Sequence, residues 1–512
     1  MYPIDLFYRQ AARTPDRIAV EFGEERFAYG ELLARASALA AGLQALDPTP
    51  GSRVGICCLN HLEHIAAWVA VLAAGKVWVP LYPKNKAAEI GESVTFTQAS
   101  IVIVDAKSRH LVEGTGARLI VSDPIGGADT TGGLVRAHEG TAPRFHALPL
   151  DATQAIKFTG GSTGKPKGVM QPYRAWNTNI ITQILAWGLE QGDRLLASAP
   201  ITHGTSTYLL PTFASGGTLV LKDQPRPEEV LRTLAEDGIS TTFLPPTVIY
   251  MMMQLPEARR ANFDQLRNLV YGAGPMRPDA IAEAQSVFGP RIASTYGQTE
   301  APQIATMISA QDLTDPDKRA SVGRETILTR VAVMDADGAI LPQGELGEIV
   351  IRGDLLMTGY WAQPEKTAET IIDGWLHTGD LGQFDEDGFL YLKGRSKDLI
   401  ITGGFNVYPV DVEPVIAEHA AVADCAVFGV PDDKWGESVH AAIQLREGMT
   451  ADTEEIIRFV KDRLGSVKAP KTIAVYDRLP RNNYGKLQKQ ALVDDHVARE
   501  TEQGEQEEKV RS

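Results

Sequence analysis

Cysteine is scarce in this chain, a basic excess is absent, and no apolar run is long enough to cross a bilayer. Each shortfall closes off a class of function. The 512 residues include three cysteines, Cys57, Cys58 and Cys425. An odd count without metal-ligand spacing argues against a disulfide framework and against a cysteine-based zinc site. The adjacent Cys57 and Cys58 read as two reduced, buried apolar side chains rather than a strained vicinal disulfide, which favours a reducing compartment. A formal net charge of −15 leaves no cationic surplus to neutralise phosphates, so broad binding to nucleic acid or to an anionic membrane is not expected. An anionic small ligand in a local basic pocket remains compatible with it. The most apolar stretch, Ile65 to Ala74, is far too short to span a membrane. "MYPIDLFYRQAARTPDR" lacks a basic-then-apolar targeting pattern, and "KVRS" is no lipidation or peroxisomal signal. Cytoplasmic is therefore the expected location.

What is present is ordinary globular composition, 44% hydrophobic and 22% charged, on a chain too long for one core. "RFAYGELLARASALAAGLQAL" has helical spacing, "RVGICCL", "VWVPL", "IVIVD" and "RLIV" are brief strand runs, and "HIAAWVAVLAAG" is a helix between them. "RLLASAP", "GTLVLK", "TTFLPP", "NLVYGAG" and "RIASTYG" are strands that each end in a turn. Such alternation predicts layered α/β structure with largely parallel sheets. The segment from Gly126, "GGADTTGGLVRAHEGTAP", reads as a surface loop. From about Val331 the pattern turns to β-hairpins with Asp-Gly and Gly-Glu turns, and after Arg395 to a small α+β unit. The expected division is an N-terminal domain over 1–396 and a mobile C-terminal domain over 397–512, with a linker at Gly394 to Lys397. The tail from about residue 500, "ETEQGEQEEKVRS", has the composition of a disordered segment.

In open α/β sheets chemistry gathers beyond the carboxyl ends of the strands, where "FTGGSTGKPKG" (Phe158–Gly168) stands out. Glycines, hydroxyls and lysines together suit the oxygens of a polyphosphate. The stretch is no Walker loop, because Pro166 follows Gly164-Lys165. Downstream come "YGAGP" (Tyr271–Pro275), "STYGQTE" (Ser294–Glu300), "WLHTGD" (Trp375–Asp380), "GRSKDLIITGGFNVYP" (Gly394–Pro409) and "RNNYGK" (Arg481–Lys486). In this order and spacing the set resembles the adenylate-forming, or AMP-binding, superfamily, which includes acyl- and aryl-CoA synthetases. The likeness runs from about Leu6 to Gln490.

The resemblance implies two half-reactions: a carboxylate attacks the α-phosphate of ATP, giving acyl-AMP and pyrophosphate, and the thiol of coenzyme A then displaces AMP. It places Thr159, Ser162, Thr163 and Lys167 at the β- and γ-phosphates, with Gly161 and Gly164 letting backbone approach them. Gly160 departs from the family pattern, which usually has a serine there. Ala273, Gly274 and Pro275 correspond to a turn bordering adenine, and Tyr296, within Ser294, Thr295 and Gly297, to the ring that stacks on it. Thr299 corresponds to an α-phosphate contact. Glu300, with Thr163, corresponds to the Mg²⁺ ligands, a role suited to hard oxygens. Asp380 corresponds to the acceptor for the ribose hydroxyls, Arg395 to its neighbour, and Lys486 to the lysine that catalyses adenylation.

Lys397 matches a hinge about which the small domain turns between half-reactions, a motion that a few linker residues can absorb. Gly403 and Gly404 match a pantetheine tunnel, and Trp435 and Lys471 match coenzyme A contacts. Ala469 stands where an arginine is frequent. His203, in "APITHGTSTYLL", falls at the gate of the acyl pocket, whose walls would include Tyr208, Tyr271 and Gly272. Gly204, Thr205 and Ser206 offer no anion for an ammonium, which argues against an α-amino acid. The "TVIYMMMQL" helix reads first as core and second as pocket wall. The expected substrate is an apolar acid, aromatic or medium-to-long aliphatic, and the absence of a carrier segment after Lys486 suggests a stand-alone ligase. An acyl-AMP ligase that loads a carrier protein is the alternative, and a homodimer is left open.

Overall fold

The structure, a computed structural model, describes residues 1–159, 167–432, 434–481 and 487–499. The chain forms two compact units, one from Met1–Ala332 with Val350–Thr378, the other from Val333–Ile349 with the chain from Gly379 onward.

The first unit holds two large sheets. In the seven-stranded one the spatial order is Gly359–Tyr360, Lys167–Pro172, Thr153–Thr159, Val77–Pro80, Arg53–Cys57, Ile101–Val104 and Arg118–Val121. The last five run parallel to one another, and Thr153–Thr159 turns back antiparallel into Lys167–Pro172. The helix Leu62–Ala73 lies against this unit's core with apolar residues on all sides and nearly every residue buried, as expected of a helix enclosed by other layers. Trp68, Trp78 and Trp176 meet at centroid distances of 6.0 to 6.3 Å. Aromatic pairs of this kind add about 0.5–1.5 kcal/mol beyond area burial.

The nine-stranded sheet carries the parallel run Thr218–Leu221, Arg194–Ala197, Thr241–Leu244, Asn268–Tyr271 and Ile292–Tyr296. Its register sets Leu244 opposite Tyr271 and Tyr271 opposite Ser294. The turns that follow these strands therefore leave the same edge. Short runs rich in β-branched and aromatic residues that stop at Pro245, Gly272 and Gly297 produce this alignment.

In the second unit the chain from Gly379 finishes the strand Trp375–Phe384 and pairs antiparallel with Leu390–Arg395. A small α+β body follows. Val422–Asp432 and Gly436–Leu445 form a long hairpin, Ile473–Tyr476 adds parallel to it, and the helices Pro409–Ala417 and Thr453–Leu464 pack on it. Val412, Ile416, Val427, Ile443 and Ile456 are its core. The whole has the expected class, a large layered α/β part and a small α+β part.

One local expectation needs correction. The segment from Gly126 is not all loop, because Thr131–Ala137 is a helix whose first turn is capped by the Thr130 hydroxyl accepting from the Gly133 N–H, with Leu134 buried. Gly394 and Arg395 finish a strand, and Ser396–Asp398 is a 3₁₀ turn. Cys57 and Cys58 are buried free thiols, as read from the sequence. Among the described residues no helix is long and apolar enough to cross a membrane.

Candidate active site

Among the described residues of the first unit, parts of three sequence motifs are linked through side-chain and backbone contacts. Thr159 and Lys167, the described residues flanking the glycine-rich loop, face each other as a cross-strand pair. Gly161, Ser162, Thr163 and Gly164 lie outside the described residues, as does Lys486. Lys167 Nζ sits 5.7 Å from the centre of the Tyr360 ring, within cation–π range. The Tyr360 hydroxyl donates to Glu300 Oε1 at 2.9 Å, and burial followed by the Glu300 charge raises the phenol far above its ordinary pKa. Glu300 is further fixed by its carbonyl, which accepts the Met357 N–H at 2.8 Å. One residue earlier, the Thr299 carbonyl accepts from Gln171 Nε2 at 2.8 Å. The "STYGQTE" segment is thus tied to the strand that leaves the glycine-rich loop.

The members of that segment are held differently. The Ser294 hydroxyl donates to the Tyr271 carbonyl at 3.2 Å, and the Thr295 hydroxyl donates to the Gln303 carbonyl at 2.6 Å. Both hydroxyls therefore brace the strand end. A Cβ on Gly297 would come within 2.7 Å of the Gln303 backbone, so only glycine fits where the chain doubles back. Tyr296 is 8% exposed. In the neighbouring turn Ala273 has φ of 65°, a left-handed conformation that costs a residue with a side chain about 1 kcal/mol or more. Such strain clusters at functional sites. Gly274 has open space around it.

His203, expected at the gate of the acyl pocket, lies in a kinked turn, Ile201–Thr205, ahead of the helix Ser206–Ser215. Its Nδ1 is 2.8 Å from Thr202 Oγ1, and its ring meets Tyr82 edge-on at 4.8 Å. Burial first, and the Lys157 charge second, hold its pKa down at about 4, so the imidazole is neutral at physiological pH. The Tyr208 ring stacks on Phe243 at 5.1 Å, and its hydroxyl accepts from Gln303 Nε2 at 3.2 Å. A Cβ on Gly272 would reach 2.9 Å from Phe243, and one on Gly204 would reach 3.2 Å from Gln303 Oε1. Gly204, Tyr208 and Gly272 thus gather around two residues missed in the sequence, Phe243 and Gln303, while the neighbours of His203 include Tyr82, Lys157, Thr202 and Ser206. The position of Phe243 near a strand end before "PP" was the one signal available, and Gln303 had none. Of the methionines in Pro246–Met253, Met252 and Met253 are buried while Met251 is 56% exposed.

In the second unit Asp380 and Arg395 are opposite each other on antiparallel strands, with Arg395 Nε 3.1 Å from Asp380 Oδ1. Lys397 is exposed in the turn that follows. Gly403 and Gly404, with φ of 58° and 82°, make the two-residue turn between Ile400–Thr402 and Phe405–Val407, a mirror-image turn that favours glycine at both places. Gly403 N–H donates to the Trp435 carbonyl at 2.8 Å, and a Cβ on Gly403 would lie 2.9 Å from the indole. Two residues assigned separately in the sequence are therefore in direct contact. Lys471 is exposed, with its N–H donating to the Val439 carbonyl. Ala469, where the family pattern frequently has an arginine, is 4% exposed in the core of this unit, a place that suits alanine.

Comparison with known proteins agrees with the motif order. Residues 7–361 match the family model of the AMP-binding enzymes, and residues 411–486 match that of the AMP-binding enzyme C-terminal domain. A medium/long-chain-fatty-acid–CoA ligase of Mycobacterium tuberculosis is 37% identical over 92% of this chain and 86% of its own. A feruloyl-CoA synthase of Amycolatopsis is 32% identical over 94% and 96%. Among solved structures, ATP-bound MatB from Rhodopseudomonas palustris is 29% identical with a TM-score of 0.89, covering 97% of this chain and 99% of that one. On these matches, and on the arrangement they share, the chain belongs to the AMP-binding enzyme family.

Proposed function

We propose that the protein is an AMP-forming carboxylic acid–CoA ligase acting on an apolar acid, aromatic or medium-to-long aliphatic. The observation that carries this reading is the linked set Lys167, Tyr360, Glu300, Gln171 and Thr299, on a chain whose family match extends through both family models. Relatives that act on a fatty acid and on ferulate, and the apolar surroundings of Tyr208 and Phe243, support the substrate class.

In this reading Thr159, Gly161, Ser162, Gly164 and Lys167 hold the phosphates, and Thr299 meets the α-phosphate. Tyr296 and the Ala273–Pro275 turn enclose adenine, supported by Ser294, Thr295 and Gly297. Asp380 and Arg395 take the ribose side. Glu300 suits Mg²⁺, since one carboxylate oxygen is oriented by Tyr360 and the other has no partner among the described residues; with Thr163 it would hold the ion, which neutralises phosphate charge when bound. Lys486 bridges the acid and α-phosphate as charge develops, a job for a flexible point charge. The neutral His203 stands at the acid side with Tyr208, Tyr271 and Gly272. For the thiol step the C-terminal domain expected from the sequence, 397–512, turns about Lys397, presenting Gly403, Gly404, Trp435 and Lys471 to coenzyme A. A cytoplasmic setting and a homodimer complete the proposal.

The test is pyrophosphate release from ATP-Mg²⁺ over a panel of aromatic and aliphatic acids, each with and without coenzyme A. Release accompanied by a thioester supports the reading and identifies the acid. Release without thioester shifts it to carrier loading, and silence across the panel sinks it.

A further inference from the structure

One buried cation has no part in the reading above. Lys157, in the strand Thr153–Thr159, is 7% exposed. Its Nζ donates to Ser206 Oγ at 2.7 Å and to the His203 carbonyl at 3.4 Å, and it lies 5.3 Å from the Trp78 ring centre and 5.5 Å from that of Trp176. No carboxylate pairs with it among the described residues. Burying a charge without a counter-ion is expensive, and a position that needs only filling is better served by an apolar side chain of similar volume. Burial alone brings its pKa down to about 7.

What the ammonium holds is backbone. His203 has φ of −109° and ψ of −149°, outside the helical range although it sits inside a π-type turn. Its carbonyl is directed to Ser206 Oγ, which donates to it at 2.8 Å, and to Lys157. The same strand ends two residues later at Thr159, beside the glycine-rich loop.

We propose that Lys157 is a positioning residue for the acyl gate: through the Ser206 hydroxyl and the His203 carbonyl it fixes the direction of the His203 imidazole and so sets which acids the pocket admits, without touching the acid. The proposal rests on the placement of His203 at the acyl pocket. Lys157, from the strand, and the Tyr82 phenol, from the segment after Val77–Pro80, are titratable groups that face this imidazole.

The experiment compares Lys157→Met and Ser206→Ala with the wild-type full chain, measuring KM for a graded series of acids and for ATP, and titrating His203 by NMR of isotope-labelled histidine assigned with His203→Gln. Both variants are expected to raise KM for the preferred acid about tenfold, with the ratios of kcat/KM between acids altered and KM for ATP within about twofold. The His203 pKa is expected to rise by about one unit in Lys157→Met, where the neighbouring cation is gone, and to stay in place in Ser206→Ala, where it remains. Should Lys157→Met not fold, Ser206→Ala alone decides through the acid ratios. Unaltered acid ratios in an active enzyme, equal losses for acid and ATP, or an unmoved His203 in Lys157→Met overturn the inference and spare the ligase reading. A wild-type chain silent toward every acid overturns both.

Discussion

The Tyr360 hydroxyl donates to Glu300 Oε1 across 2.9 Å, joining residues sixty positions apart in sequence. A hydrogen bond to an ionised group is worth about 1.5 kcal/mol or more. Tyr360→Phe removes it without a change of shape and leaves the carboxylate less firmly aimed. Steady-state kinetics should show kcat/KM for ATP-Mg²⁺ falling about tenfold, partly recovered by excess Mg²⁺, with KM for the acid little changed. An unchanged ATP dependence would remove Glu300 from the nucleotide site.

Gly403 is constrained twice, by φ of 58° and by the Trp435 ring 2.9 Å from where a Cβ would stand. The left-handed conformation alone costs a substituted residue about 1–2 kcal/mol. Gly403→Val should leave acid-dependent pyrophosphate exchange near wild type and suppress thioester formation. Persistent thioester would show that this turn does not border the coenzyme A path.

Much of this architecture was legible before any coordinates. Parallel strands announced themselves as short β-branched runs stopped by Gly or Pro, and their aligned ends explain why the motifs of the first unit fall together. The helix Thr131–Ala137 was illegible because its two glycines mimic a loop, and what stabilises it, the Thr130 cap, the buried Leu134 and the Thr131 hydroxyl donating to Glu63, is partly tertiary. The contacts between Gly403 and Trp435, between Tyr208 and Phe243, and between Glu300 and Tyr360 depend on tertiary packing that no local spacing encodes. Lys157 in "AIKFT" looks like a solvated position on a half-exposed strand, and nothing in the sequence signals that tryptophans enclose it.

That burial makes Lys157 a pH-dependent burden. With the folded pKa lowered from 10.5 to about 7, the unfolded chain binds more protons between those values, so wild-type stability rises with pH across that window. The limiting slope is about 1.4 kcal/mol per pH unit. Lys157→Met, lacking the charge, should be more stable than wild type near pH 7 by urea unfolding and should lose that lead as pH rises toward 10. A constant difference would contradict the buried-cation picture.

Lys486→Ala tests the adenylation assignment directly. Removing a cation that stabilises developing charge should slow acid-dependent pyrophosphate exchange by about 10²- to 10³-fold. Thioester formation from supplied acyl-AMP should stay within a few-fold of wild type. Equal loss in both assays would mean that the residue is not specific to the first half-reaction.

The cross-strand pairing of Asp380 with Arg395 carries a consequence for any ligand that hydrogen-bonds to this carboxylate. Such a ligand does not meet an idle acceptor; it enters by partner exchange. Because the guanidinium is 40% exposed, the ion pair it displaces is worth no more than about 1 kcal/mol. The carboxylate is thereby kept pointed and ready at small expense. Occupancy of Asp380 would be transmitted as a loosened Arg395, two residues ahead of Lys397.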